Sequence, residues 1–448
     1  MNNRYNAFSI LVMVGIRRFK AYSLTGMFFL FAFSSCEDFL AVSLPKSKVA
    51  SDVVFSSDIT AIAAVTAIYD EMREQNNFAS GSNKSITALA GLSSGELAYL
   101  SDQIGDNAEF ELNNLAATNS YIAGLWTSIY KVIYQANAAI EGVSNASALT
   151  QQTRDQLEGE ALFIRAFSHF YLVNLFGDIP LVSTTDYRSN AHVARAPVDV
   201  VYGQITSDLL RAQELLSDKY ITTERVRPNK ATAKAFLARV YLYRGNWSAA
   251  EEQASFTIDN TALYSLLQDA GSVFLKNSME AIWQLPPGAP DGFTGLTHEG
   301  YFFSPANVSG FNVLSEIVMN AFEPGDIRAS TWTGSFSSTG GTIYYPAKYK
   351  QHLPGPITEY SMVLRLGEQY LIRAEARAQQ GNLQGAISDL DAIRSRASLP
   401  LIQDINPGIS SSDLLLAIER ERLVELFSEW GHRWLDLKRS GKVDDVMS

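Results

Sequence analysis

"AKAFLARVYLYRGNWSAAEEQA", residues 233–254, and "GEQYLIRAEARAQQGNLQGAISDL", residues 367–390, follow one plan. Placing Gly245 on Gly381 also places Asn246 on Asn382, Ala250 on Ala386 and Ala238 on Ala374. Small residues at these places let two antiparallel helices approach closely, and Gly-Asn supplies the turn between them.

This is the logic of a tetratricopeptide helical hairpin. Tyr241 occupies the tyrosine position of that repeat, where Arg377 stands in the second copy. The glycines are 136 residues apart, about four periods of 34. The sequence between the copies is not a run of helical hairpins, so isolated repeat units are expected rather than a continuous solenoid.

Helical spacing extends outward from these two units. "SSDITAIAAVTAIYDEMRE", residues 56–74, offers Ser57 or Asp58 as an N-cap and puts Ile62, Val65, Tyr69 and Met72 on one stripe. A Gly/Ser/Asn-rich passage follows at 79–85, after which helix returns through Trp126, Ile129, Ile133 and Ile140. "QLEGEALFIRAFSHFYLVNLFGDIP", residues 156–180, carries the wide apolar stripe of a helix packed on several neighbours and stops at Gly177 and Pro180. Between about 264 and 359 the character changes. "PPGAPDGFTG", "SPANVSG" and "TGSFSSTGGT" are turn chemistry, broken by strand-like pieces such as "AIWQL" and "TIYYPAKY". The chain ends in a helical "AIERERLVELFSEWGHRWLDLKRSG", where Trp430 and Trp434, four apart, are expected to bury together on one helix. The fold class is mainly α: tetratricopeptide-like hairpins against a loop-rich half with a few short strands.

Composition narrows the function. With 46% hydrophobic and 19% charged residues over 448, the chain can bury a full core. The net charge is −11, and the first 35 residues hold four cations and no acid, which leaves the remainder near −15. Nucleic acid is excluded as a partner, because phosphate binding needs a basic footprint. A single cysteine permits no internal disulfide and no Cys-based zinc site, and the five histidines form no HExxH pair, so neither a metal nor another cofactor is expected.

The one cysteine has a context of its own. Arg17, Arg18 and Lys20 precede an apolar run over about 24–33, and Ser34 and Ser35 lead into Cys36. That is the order of a secretory signal, too short to span a bilayer, and Met13 is a candidate later start. Small residues directly before Cys36 resemble a bacterial lipobox, with Phe33 in place of its usual leucine. Cys36 is then the lipidated first residue of an exported protein tethered by its acyl chains.

Five stretches in order resemble the SusD/RagB family of outer-membrane nutrient-binding lipoproteins: "SSCEDFL" at 34–40, "LFIRAFSHFYLVNLFGDIPLV" at 162–182, "RPNKATAKAFLARVYLYRGNW" at 227–247, "LRLGEQYLIRAEARAQQGN" at 364–382 and "ERERLVELFSEWGHRWLDLKRSG" at 419–441. The resemblance implies a signal peptide over 1–35 and one domain over 36–448, with a helical scaffold at about 52–263 and 360–441 and an insert at about 264–359. It also implies a surface-facing, lipid-anchored outer-membrane protein that delivers oligosaccharides to a TonB-dependent transporter. Glu37 and Asp38 look like the family's export signal. Members usually continue past "DLKRSG" through a Pro/Asn-rich segment, so a missing family segment is expected after Ser448.

Glycan binding without chemistry uses aromatic faces and hydrogen-bonding side chains, so aromatics in loops are the candidates. They are Tyr99 in "GELAYLSDQ", Tyr301 and Phe302 after Gly300, and Trp332 in "RASTWTGSFSS". Trp283 and Trp247 are read as packing residues, and Asp326 with Arg328 as a local ion pair or turn contact. No catalysis is expected: "GSNKS" at 81–85 lacks the first glycine of a phosphate loop, no GxSxG elbow occurs, and Glu158 and Glu160 do not share a helix face. Two alternatives to glycan delivery are uptake of a peptide and a transporter scaffold with no ligand of its own.

Overall fold

In the computed structural model, residues 51–447 are described, apart from 101–104, 289–294 and 306–310. Cys36 and the apolar stretch before it lie outside them. The chain divides into two units, Met1–Val53 and Val54–Ser448, and the architecture is that of the second.

Helix α1 (Asp58–Arg73) starts where Ser57 accepts the N–H of Thr60, and it buries Val65, Tyr69 and Met72, with Ile62 half-buried. Helix α2 (Ile86–Ser93), strand β1 (Leu97–Leu100) and helix α3 (Asp106–Glu111) follow. Helices α4 (Ser120–Asn145) and α5 (Gln151–Phe176) are capped by the side chains of Asn119 and Thr150. Every residue of α5 from 159 to 173 is buried, which places this helix at the centre of the core. Gly177, at φ 70°, ends it in a backbone conformation that glycine takes without strain. A two-residue ladder, β2 (Ile179–Pro180) with β3 (Arg195–Ala196), leads to α6 (Val198–Leu215).

The hairpin α7 (Lys230–Tyr243) and α8 (Trp247–Ile258) turns at Gly245, φ 66°, and Asn246 caps the second helix. The insert then holds β4 (Ala281–Leu285), α9 (His298–Phe302), β5 (Phe311–Leu314), α10 (Glu316–Ala321), α11 (Ile327–Thr331), β6 (Thr333–Ser338), β7 (Gly341–Pro346) and β8 (Ser361–Arg365). Its strands pair antiparallel as β4-β8 and β6-β7, while β5 pairs antiparallel with β1 of the amino-terminal segment. Helices α12 (Leu366–Gln379), α13 (Leu383–Arg396), α14 (Ser411–Leu426) and α15 (His432–Ser440) complete the scaffold, with Gly381 at φ 81° in the second hairpin turn.

The two repeat units are not isolated. Helix α8 packs directly on α12, and α4, α5, α6, α7, α8, α12 and α13 each lie against the next in one continuous array. The 107 residues from Asp259 to Arg365 leave the array and return to it, so units distant in sequence are spatial neighbours. A second correction concerns Trp430. Ser428, Trp430 and Gly431 all take positive φ (53°, 50° and 69°), so α14 ends at Leu426 and Trp430 sits in the turn before α15. Its indole N–H donates to the Met362 carbonyl at 2.7 Å, and Trp434 is half-buried on the next helix. Trp283 is fully buried, as expected of a packing residue, while Trp247 is half-buried against the core.

Charge seals the insert to the scaffold. Glu425 of α14 accepts from Arg328 (2.8 Å), Arg365 (2.5 Å) and Arg396. Glu280 accepts from Arg396 at 2.6 Å, and Glu429 from Arg365 at 2.8 Å and Lys348 at 2.5 Å. All these groups are buried, where removing one partner of an ion pair strands a desolvated charge. Asp326 both caps α11 and pairs with Arg328, so the expected turn contact and ion pair are both present. Among the described residues no helix is long and apolar enough to cross a membrane.

Candidate ligand-binding site

The four candidate aromatics do not share one environment. Trp332 closes α11 with its ring turned inward, 0% exposed, and its indole N–H donates to the Ala270 carbonyl at 2.8 Å. Phe274 meets it edge-on, while Lys348, Arg396 and Arg365 stand 4.8, 5.4 and 5.8 Å from its ring centre. The cations of the ionic seam cover its faces, so Trp332 has none to offer a ligand. Phe302 is also buried, beside the rings of His298 and Tyr301.

Tyr99 and Tyr301 are half-buried. On β1, Tyr99 stands opposite Asn312 of β5, and its N–H donates to Glu111 at 3.2 Å. Near it is Tyr121, in the first turn of α4, where Asn119 accepts its backbone N–H. Lys84 holds its ammonium 5.2 Å above the Tyr121 ring. Burial, then the negative charge of Asp106 and the neighbouring Tyr99, push the Tyr121 phenol upward. Tyr99, Tyr121, Lys84 and Asp106 therefore form one group.

The segment 77–85 joins that group to Tyr301. It carries Lys84 at one end, and its Ser80 carbonyl lies 3.0 Å from Nδ1 of His298 in α9, the helix of Tyr301. Gly81, at φ 76°, packs against Glu299 so closely that a Cβ there would lie 2.2 Å from the carboxyl carbon. The glycine in this loop serves a close approach, not a phosphate.

The comparisons with known proteins agree with this architecture. A family model described as "Starch-binding associating with outer membrane" matches residues 38–242, and one described as "SusD family" matches 327–448. The chain belongs to the SusD/RagB family. SusD-like protein P2 of Formosa agariphila is 29% identical over 474 positions, covering 94% of this chain and 90% of its own. A SusD superfamily protein from Bacteroides thetaiotaomicron shares the fold at a TM-score of 0.75 and 24% identity, over 86% of this chain and 89% of that one. Surface glycan-binding protein A from Bacteroides fluxus does so at 0.69 and 22%, over 87% and 90%. These solved structures carry the helical SusD fold, as this chain does.

On this SusD/RagB scaffold, the elements around Tyr99 and Tyr301 also bury polar side chains. Among the described residues, the amide oxygens of Asn83, Asn107 and Asn312 and one oxygen of Glu299 are buried and accept no hydrogen bond from the protein. Beside Glu299, whose carboxylate accepts from Ser361, a small cleft is lined by Arg73, Ser80, Pro286, Thr297, His298 and Ser361. Desolvation raises the Glu299 carboxyl to about 7, against the hydrogen bond from Ser361, with Glu359 and Glu429 adding to the rise. Among the described residues no group of three His, Cys, Asp or Glu side chains is placed to hold a metal.

Tyr121, Lys84 and Asn312 were invisible as site residues in the sequence. Tyr121 reads as an ordinary helix residue, and its one signal is the preceding "TNS" cap, which places it at the open end of α4. Asn312 is brought to Tyr99 only by the β1-β5 pairing, across more than 200 residues.

Proposed function

We propose that this SusD/RagB protein binds an oligosaccharide without chemistry at the cell surface and passes it to a TonB-dependent outer-membrane transporter. The observation that carries the reading is the Tyr99–Tyr121 pair with Lys84 and Asp106, linked through residues 77–85 to Tyr301. Aromatic faces stack on the apolar faces of sugar rings, and an ammonium and a carboxylate beside them can hydrogen-bond sugar hydroxyls. The glycan-binding name of the Bacteroides fluxus neighbour and the starch-binding description of the family model support the same choice of ligand class. Cys36, acylated, tethers the protein to the outer membrane with its binding half facing outward, and no metal or cofactor takes part.

Calorimetric titration with a panel of neutral and acidic oligosaccharides tests this. The expected result is saturable binding of at least one glycan, abolished or strongly weakened in Tyr99→Ala/Tyr121→Ala, with no release of reducing ends. Binding confined to peptides, or to the transporter with no glycan bound, overturns it.

A further inference from the structure

The β6-β7 hairpin stands outside the group just described and has a chemistry of its own. Its register sets Gly334 opposite Tyr345, Ser335 opposite Tyr344, Phe336 opposite Ile343 and Ser337 opposite Thr342. Alternation then sorts the side chains. Gly334, Phe336, Ile343 and Tyr345 share one face, and Ser335, Ser337, Thr342 and Tyr344 share the other.

The first face is a packing device. A Cβ on Gly334 would come within 2.2 Å of the Tyr345 ring, so the ring lies across the bare strand, with Phe336 6.4 Å from it. An aromatic laid over a cross-strand glycine stiffens a hairpin. The second face is a ring among hydroxyls. Tyr344 is 37% exposed, and its neighbours Ser335, Ser337 and Thr342 are all exposed and all carry a hydroxyl. From Trp332 to Pro346 the chain has no charged residue, in contrast to the Lys84 and Asp106 of the Tyr99 group. Strand β7 runs beside β5, whose Asn312 faces Tyr99, so the two places are neighbours on the same half of the molecule.

We propose that Tyr344, edged by Ser335, Ser337 and Thr342, is a second stacking platform that takes an uncharged sugar further along the same glycan chain, making affinity depend on chain length. The proposal rests on the glycan-binding reading above and adds to it a determinant of ligand length. A platform of this composition selects neutral sugar faces, because a uronate or sulfate would find no cation on the hairpin to meet it.

The test is calorimetry with α-1,4- and β-1,3-linked gluco-oligosaccharides of three and nine units, using the full chain and Tyr344→Ala, Tyr344→Trp and Tyr99→Ala variants. For a series that binds, the nine-unit glycan is expected to bind the parent protein three- to tenfold more tightly than the three-unit one. Tyr344→Ala should erase that ratio while leaving three-unit affinity unchanged, Tyr344→Trp should keep it, and Tyr99→Ala should weaken both lengths. An unchanged length ratio in Tyr344→Ala, or equal weakening of both lengths, overturns the platform and leaves the glycan-binding reading standing. Failure of the parent protein to bind either series at any length overturns the platform, and the wider panel then decides separately whether the glycan-binding reading falls with it.

Discussion

Arg239 of α7 forks onto Glu368 of α12, Nε to Oε1 at 2.6 Å and Nη2 to Oε2 at 2.7 Å, with both side chains 1% exposed. Tyr171 of α5 accepts the remaining guanidinium nitrogen at 2.9 Å. This contact joins the two tetratricopeptide-like hairpins to the central helix. Arg239→Met alone leaves Glu368 desolvated and unpaired, and the expected loss is about 3–5 kcal/mol in urea unfolding. Arg239→Met/Glu368→Leu, which removes both charges, should recover most of it. If the double variant is as unstable as the single, the pair contributes by shape and not by charge.

Trp332→Ala is expected to cost about 3–5 kcal/mol of stability, since it empties a fully buried site and strands the Ala270 carbonyl. Glycan affinity per folded molecule should not change. A variant that unfolds normally and loses its ligand would place Trp332 in the binding site after all.

Tyr99 and Tyr121 should show the reverse pattern. Each alanine substitution is expected to weaken glycan binding by about 0.5–1.5 kcal/mol, roughly three- to tenfold, with little change in melting temperature. Tyr99→Phe and Tyr121→Phe keep the ring and should retain most of the affinity. Calorimetry and thermal unfolding, run side by side, separate the two effects.

Glu96 gives the stability a pH dependence of known sign. Desolvation raises its carboxyl to about 7, although the Ser428 N–H, Arg433 and Lys348 pull it down. An acid held above its unfolded value of 4.5 keeps its proton longer in the folded state. Its contribution is full below about 4.5 and is lost as pH rises through about 7. The buried imidazole of His169, lowered to about 3 by desolvation and then Arg165, acts in the opposite sense between about 3 and 6.5, and Glu299, also raised to about 7, acts in the same sense as Glu96, so the parent protein alone mixes these effects. Comparison with Glu96→Gln isolates the carboxyl. Between pH 5 and pH 8 the parent should lose on the order of 3 kcal/mol relative to the variant. A difference independent of pH would mean that Glu96 stays charged throughout.

Cys36→Ala should move the protein from the washed membrane fraction to the soluble exported fraction. Retention on the membrane would exclude the acyl anchor as the tether.

The helical scaffold was legible because its signals are local. Gly245 and Gly381 mark their turns, Gly177 its stop and Ser57 its cap, each within a few residues of the feature it controls. The insert was not legible in the same way. Turn residues around Trp332 suggested an exposed ring, yet its burial is decided by Lys348, Arg365 and Arg396, which reach it only in three dimensions. Tyr301 and Tyr99 stand out as candidates in the sequence because turn residues surround them, although the structure sets them on α9 and β1. Tyr121 does not, because on a helix it looks like every other packing residue. The helical spacing of Trp430 and Trp434 pointed to one helix, and the positive φ angles at Ser428 and Gly431 show why spacing alone misled.

The seam around Glu425 also sets an order of events. Arg328, Arg365 and Arg396 are synthesised 97, 60 and 29 residues before the acid they share. Until α14 has been made, Arg396 and Arg365 have Glu280 and Arg328 has Asp326, but the acid that joins all three is missing. Completion of the seam is therefore a late step that waits on the carboxyl-terminal helices, after the entropy of closing those long loops has been met. A chain interrupted before residue 425 lacks the acid that joins the three cations, and its insert is expected to be cut by proteases sooner than that of the full chain.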